Sequence, residues 1–169
     1  MIKERLNDAI NKQINAELYS AYLYLSMAAY FESQSLPGFA NWMRVQFEEE
    51  QFHALKFYGY VNERSGRVIL DAIDKPETDW ENIVAVFENV LAHEEHVTSL
   101  INNLMTLAIE EHDYATTNFL QWFVGEQVEE EANVHSLLDQ LKRVNGEGHA
   151  ILMLDRELAT RVFTPPVGE

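Results

Sequence analysis

Four long amphipathic segments of the sequence each carry a carboxylate near their middle. In every segment the carboxylate interrupts an apolar face whose members recur three or four residues apart. The interrupting residues are Glu17, Glu50 with His53, Glu94, and Glu130 with Gln127. The histidine and the glutamine each lie three residues from their glutamate, so each pair shares a helix face. If the segments form one helical bundle, these side chains meet at one level.

A cluster of buried carboxylates requires a counter-charge. An isolated carboxylate in a protein interior is strongly unfavourable or takes up a proton. The apolar faces contain no Lys or Arg, whereas two divalent cations would balance four carboxylates. A ligand set rich in oxygen with one imidazole favours Fe, Mn or Zn over copper. One such glutamate could reflect a tilted helix or a misplaced helix end, but four at one level predict a site for two metal ions.

Five helices must position these residues, because helical periods fill the stretches between clusters of Gly and Pro. Their predicted bounds are 4–32, 37–64, 80–111, 114–145 and 148–161. Pro37 suits the first turn of the second helix, Thr78–Glu81 forms a capping box for the third, and Asp113 caps the fourth. Gly66 and Gly146 are expected to follow helices two and four in the left-handed conformation.

The connection between helices two and three determines the expected topology. Residues 65–79 can span about 50 Å when extended, and a helix of about 28 residues is only about 42 Å long. The short links elsewhere make helices one and two, and helices three and four, antiparallel neighbours. The sequence therefore predicts an all-α fold, a four-helix bundle with one long crossover and a short fifth C-terminal helix. We expect no place for this fifth helix in the core.

The composition limits the classes of function. The chain of 169 residues has a net charge of −16 and no Cys, which excludes disulfide scaffolds, thiolate metal sites and thiol catalysis. An acidic surface disfavours nucleic acid and attracts cations. The sequence shows no signal peptide and no uncharged stretch long enough to cross a bilayer. We therefore expect a cytoplasmic protein with neither a nucleic-acid nor a membrane partner.

Five short motifs carry a family resemblance. They are NAELYS at 15–20, EEEQFH at 48–53, HEE at 93–95, NFLQWF at 118–123 and EQVEEE at 126–131. In combination they make the chain resemble the ferritin superfamily, specifically the non-haem bacterial-type ferritins. The resemblance covers nearly the whole sequence and implies a single ferritin-like domain over residues 1–169.

The resemblance implies that the central residues form a dinuclear iron site. The residues that resemble the ligands of the first iron ion are Glu17, Glu50 and His53. Those that resemble the ligands of the second are Glu50, Glu94 and Glu130. Glu50 would bridge the two ions, and Gln127 would lie nearby.

Two further features of the resemblance leave alternatives open. Tyr24 resembles a tyrosine beside the dinuclear site of the family, where electron donation has been proposed, but it could equally be a core phenol hydrogen-bonded to a carboxylate. Glu49, Glu126 and Glu129 resemble a third iron site of the bacterial subgroup, and the alternative is a solvated acidic face. Gln51 stands where haem-binding relatives carry a methionine, so we expect no haem.

By resemblance, the expected function is iron storage with ferroxidase activity. Fe(II) would be oxidised by O2 or H2O2 at the dinuclear centre and kept as a ferric mineral inside a homo-oligomeric shell, implied to be a 24-mer. A diiron oxidase or peroxidase without storage is the first alternative, which the absence of a mineral would indicate. An inert helical interaction module is the second, and it predicts no rise in melting temperature with metal.

Overall fold

The computed structural model describes residues 1–146 and 148–165, which form five α-helices and no strand. The helices are α1 (Glu4–Ser33), α2 (Pro37–Glu63), α3 (Ile83–Glu110), α4 (Tyr114–Arg143) and α5 (His149–Leu158). Helix α1 packs along α2, α3 packs along α4, and α5 packs against α2. This arrangement confirms the all-α class and the four-helix bundle with a short fifth helix. In the same residue ranges, no helix is both long and apolar enough to span a membrane.

The first four helices end in the same backbone motif. The residues with positive φ that follow their last turns are Ser35, Ser65, His112 and Asn145. In each case the next amide bonds to a carbonyl five residues earlier, as Gly66 does to Val61 at 2.9 Å. The prediction for the end of α2 is therefore wrong by one position, since Ser65 and not Gly66 is left-handed. At the end of α4 both Asn145 and Gly146 have positive φ.

Side chains cap the starts of α3 and α4. Asn82 accepts a hydrogen bond from the Ala85 amide at 2.9 Å, and Asp113 accepts one from the Thr116 amide at 3.0 Å. The predicted cap at Asp113 is confirmed. The predicted capping box at Thr78–Glu81 is wrong, because α3 begins only after Asn82. An Asn side chain caps as well as Thr does, so the sequence contains two candidate caps close together, Thr78 and Asn82.

The connection between α2 and α3 runs along α1 and confirms the long crossover. Asn11 donates to the Arg67 carbonyl at 3.0 Å and accepts from the Ile69 amide at 3.0 Å. Near the other end of α1, Tyr30 donates to the Trp80 carbonyl at 3.1 Å. The chain therefore crosses the length of the bundle, and α3 starts beside the end of α1.

The apolar core consists of two clusters with a polar layer between them. Phe31 and Phe87 belong to one cluster, and Phe57 and Leu120 belong to the other. The buried polar residues along the helices between the clusters are Gln13, Glu17, Ser20, Gln46, Glu50, His53, Glu94, Gln127 and Glu130. The four interrupting glutamates thus lie in one layer across the bundle.

Helix α5 packs against the start of α2, contrary to the expectation that it has no place in the core. Its Ile151 and Leu154 join the core cluster at that end. Asp155 accepts hydrogen bonds from the Gly38 and Phe39 amides at 2.8 and 3.0 Å, and so caps α2. Glycine is required at position 38, because a Cβ there would lie 1.6 Å from the Asp155 carbonyl oxygen.

Candidate metal centre

The polar layer brings the predicted ligands from α1 and α2 close together. Ligand atoms of Glu17, Glu50 and His53 all lie within 4.8 Å of one another. Across residues 1–146 and 148–165, this is the one group of three or more acidic or histidine residues with such spacing. All three side chains are buried. They are the residues predicted to bind the first ion, and that role stays a prediction.

Two carboxylate oxygens in this group are buried without a hydrogen-bond donor. Gln13 donates from Nε2 to Glu17 Oε1 at 2.8 Å, but Glu17 Oε2 has no partner. Glu50 Oε2 also has no hydrogen bond, although His53 Nδ1 lies 3.5 Å away. A buried carboxylate oxygen that nothing pairs is unfavourable. The donor set therefore suits a hard cation held between α1 and α2.

On the other side of the layer, amide and phenol donors hold the glutamates of α3 and α4. Tyr24 donates its hydroxyl hydrogen to Glu94 Oε1, and Gln127 donates from Nε2 to Glu94 Oε2 at 3.2 Å. Gln46 donates from Nε2 to Glu130 Oε2 at 2.9 Å. These bonds fix the direction of both carboxylates within the layer.

The ligand atoms of the second predicted set lie further apart than those of the first. Glu50, Glu94 and Glu130 are all buried, but their ligand atoms do not form a group with the 4.8 Å spacing in the described ranges. Their carboxylates nevertheless act on one another, since Glu94 and Glu130 both raise the pKa of Glu50. The three side chains share one electrostatic environment, and their binding of a second ion stays a prediction.

Burial determines the charge of the carboxylates. It raises the pKa of Glu17 to about 8, with a further contribution from Glu50. It likewise raises the pKa of Glu50 and of Glu94 to about 7, and that of Glu130 above its ordinary value. Without a metal ion Glu17, and in part Glu50 and Glu94, therefore hold protons near neutral pH, and a divalent cation would have to displace them.

His53 lies between carboxylates on both sides of its ring. Its Nδ1 faces Glu50, and its Nε2 lies 3.8 Å from Glu126 Oε1. Burial alone lowers the pKa of His53, but the neighbouring carboxylates of Glu126 and Glu50 outweigh burial and hold the pKa well above its usual value. Because a metal-ligating histidine is neutral, metal binding here would also release this proton.

Tyr24 is completely buried at the edge of the layer. Its ring meets those of Trp42 and His93 edge-on, with 6.4 Å between centroids in each pair. Burial, and then the charge of Glu94, raises the pKa of Tyr24 well above its ordinary value of 10. The phenol therefore stays protonated and donates a hydrogen bond to Glu94. Of its two predicted roles, the hydrogen bond is present, whereas electron donation stays a prediction.

In the part of the chain that the structure describes, the ligand atoms of the three glutamates predicted for a third site, Glu49, Glu126 and Glu129, do not form a group with the 4.8 Å spacing. Glu126 faces His53, Glu129 is exposed on α4, and Glu49 is mostly shielded from water, with its side chain 20% exposed. Glu49 Oε2 accepts a hydrogen bond from Arg161 Nη2 at 2.8 Å. The third site therefore stays a prediction, and one of its residues, Glu49, already forms an ion pair with the Arg161 guanidinium.

Gln13 and Arg161 hydrogen-bond predicted ligands and were not expected from the sequence to do so. Gln13 precedes Glu17 by one helical turn, and this spacing was a usable signal. Arg161 follows α5 in an irregular segment, where no periodicity indicates that the chain folds back to α2.

Known proteins are similar in sequence to this chain over almost its whole length. A family model described as Ferritin-like domain matches residues 7–144. The Bacterial non-heme ferritin of Bacteroides fragilis is 45% identical over 161 residues, which are 95% of this chain and 100% of that protein. The Bacterial non-heme ferritin of Staphylococcus saprophyticus is 42% identical over 163 residues, which are 96% of this chain and 98% of that protein.

Solved structures of the Archaeoglobus fulgidus ferritin share the fold. A form engineered to be closed superposes with a TM-score of 0.96 at 51% identity, over 97% of this chain and 100% of that one. The open-pore ferritin of the same hyperthermophilic archaeon has a TM-score of 0.94 at 51% identity, over 95% of this chain and 98% of that one. The predicted resemblance and fold are thus confirmed, and the chain belongs to the ferritin family.

Proposed function

We propose that the protein stores iron, which it takes up as Fe(II), oxidises in the polar layer and keeps as a ferric mineral. The observation that carries this proposal is the buried group of Glu17, Glu50 and His53, with unpaired carboxylate oxygens, in a chain of the ferritin family. In this proposal residues 1–169 act as one ferritin-like domain of a cytoplasmic homo-oligomer.

Each iron ion is a substrate that the carboxylates bind and release. The first would be held by Glu17, Glu50 and His53, and the second by Glu50, Glu94 and Glu130. The unpaired oxygens of Glu17 and Glu50 support this assignment, because a cation would satisfy both. Anionic oxygen ligands stabilise Fe(III) over Fe(II) and so favour loss of an electron.

The chemistry requires that protons and electrons balance. Two Fe(II) ions supply two electrons, which with two protons reduce one O2 to H2O2, or one H2O2 to two waters. The metal-free layer holds protons on Glu17, Glu50 and Glu94, which Fe(II) displaces on binding. Tyr24 and Gln127 keep the carboxylate of Glu94 oriented while the charge changes.

Two observations support a shell of identical subunits. The crossover exposes the apolar side chains of Ile69, Leu70 and Ile73, by 57, 63 and 41%, and adjacent exposed apolar residues mark association surfaces. The related Archaeoglobus fulgidus ferritin is described in open-pore and closed forms. We propose a 24-subunit assembly whose acidic interior attracts iron, given the net charge of −16.

The test is the initial rate of aerobic Fe(II) oxidation in a bridging-residue variant. Glu50→Gln removes one charge from the proposed bridge, and we expect the rate to fall at least about tenfold, as the loss of even a supporting residue does. Glu95→Gln is the matched control, because Glu95 is exposed on α3 beside Glu94. A Glu50→Gln variant that oxidises Fe(II) at the wild-type rate would overturn the proposal.

A further inference from the structure

Arg161 lies in the segment that follows α5, and its side chain reaches Glu49 on α2, next to the polar layer. Its Nη2 lies 2.8 Å from Glu49 Oε2, and the two side chains are only 24 and 20% exposed. The guanidinium also lies over Trp42, 4.9 Å from the ring centroid. Because both partners are largely shielded from water, this ion pair is stronger than one on an open surface.

Contacts with α2 hold the segment around Arg161 in place. Asn41 donates from Nδ2 to the carbonyls of Leu158 and Arg161 at 3.0 and 2.9 Å. Two residues further on, the ring of Phe163 meets that of Phe52, with 6.1 Å between centroids. The backbone on both sides of the guanidinium is therefore fixed to α2, which leaves the side chain as the part that can move.

Arg161 supplies a positive charge at the edge of the polar layer, where it pairs with Glu49. Within residues 1–146 and 148–165, it and His53 are the two basic side chains that form ion pairs with the predicted ligands. Burial raises the pKa of Glu49 to about 7 and that of Glu130 above its ordinary value, and the charge of Arg161 opposes both shifts. Its Nη1 is buried without a partner, so the guanidinium is incompletely satisfied where it lies.

We propose that Arg161 is a positioning residue that neutralises Glu49 and competes with a metal ion for its carboxylate. An ion could bind Glu49 Oε2 only after the guanidinium swings away, and the unpaired Nη1 reduces the cost of that displacement. Arg161 thereby sets the affinity for any ion beyond those held by Glu17, Glu50 and His53. The inference rests on the proposed function, because it takes iron to be the cation that competes.

The test measures Zn(II) binding to the whole metal-free protein by calorimetry, since Zn(II) undergoes no redox change. In Arg161→Gln we expect one further ion per chain to bind about tenfold more tightly, because a unit charge no longer opposes it. Arg161→Met, whose side chain can still pack on Trp42, is expected to behave alike. Arg161→Lys keeps the charge and should restore the wild-type isotherm.

Two controls identify the carboxylate responsible. Arg156→Gln removes an exposed arginine of α5 and should leave binding unchanged. Adding Glu49→Gln to Arg161→Gln should abolish the gain. Wild-type binding in both Arg161→Gln and Arg161→Met, or a gain that survives Glu49→Gln, would overturn the inference while the first ion still binds. A wild-type protein that binds no Zn(II) at all would overturn the proposed function as well.

Discussion

Gln13 and Glu17 lie one turn apart on α1, and the amide of Gln13 donates to one oxygen of Glu17 at 2.8 Å while the other oxygen stays unpaired. Both side chains are buried. The amide therefore fixes the carboxylate before any metal arrives. Such support saves the ordering cost that a free carboxylate would incur on binding an ion.

Replacing Gln13 should weaken metal binding without removing a ligand. In Gln13→Leu the carboxylate of Glu17 loses its donor, and we expect Zn(II) affinity at Glu17, Glu50 and His53 to fall about tenfold. Calorimetric titration of the metal-free protein measures this. Gln121→Leu, at an exposed position of α4, is the matched control. Equal affinity in the two variants would show that Gln13 does not support the site.

The metal-free protein should lose stability as the pH rises from about 5 to about 8. Folding raises the pKa of Glu17 to about 8 and that of Glu50 and Glu94 to about 7, from 4.5. The folded state therefore holds protons that the unfolded chain has released, so the free energy of unfolding decreases with pH. The raised pKa of His53 acts in the same direction.

Saturating Zn(II) should reverse this trend, because metal binds the deprotonated ligands and its stabilisation grows with pH. Melting temperatures across the range, with and without Zn(II), measure both slopes. Glu17→Gln should flatten the metal-free slope. A metal-free protein that becomes more stable with rising pH would contradict the prediction that the buried carboxylates of the polar layer hold protons.

Tyr24→Phe should destabilise the metal-free protein by about 1–3 kcal/mol, because it leaves a buried acceptor on Glu94 without its donor. The hydrogen bond lowers the pKa of Glu94 and so favours the charged carboxylate. The loss should therefore be larger at high pH, where Glu94 is ionised, than at low pH. Denaturant unfolding at two pH values measures it. Tyr22→Phe, at a 48% exposed tyrosine, is the control, and equal losses in the two variants would contradict the role of the bond.

Two glycines of α2 should respond to alanine with opposite signs. Gly38→Ala forces a Cβ to within 1.6 Å of the Asp155 carbonyl oxygen, so α5 must shift, and we expect a loss of about 1–3 kcal/mol. Gly59→Ala meets no atom within 4 Å and should gain about 0.5–1 kcal/mol of helix stability. Denaturant midpoints measure both. A Gly38→Ala variant as stable as Gly59→Ala would contradict the close contact between α2 and α5.

The layer of carboxylates could be predicted because its signal is local. Glu17 and Glu94 each break the helical repeat of an apolar face, and midpoints of similar helices meet at one level in a bundle. The ends of helices were less predictable, because backbone hydrogen bonds can outweigh side-chain preference. Ser65 takes a left-handed conformation that costs about 1–2 kcal/mol for a residue other than glycine, since the bonds that close α2 require it.

The position of Arg161 could not be predicted from local patterns. Its contact with Glu49 joins residues 112 positions apart. The contact depends on Asp155, which docks α5 on α2, and on Asn41, which holds the segment beyond it. None of these residues lies in a periodic pattern that indicates its partner. A long-range arrangement of an irregular segment requires the structure.

The most direct test of the central claim is the iron retained per chain after aerobic Fe(II) loading, measured on the particle isolated by size exclusion. If the protein oxidises Fe(II) in its polar layer and stores the product, iron far above two or three ions per chain elutes with one large particle. Glu50→Gln should then load slowly, and Glu95→Gln should load like the wild type. Uptake that stops at about two ions per chain would contradict storage and indicate a diiron oxidase instead.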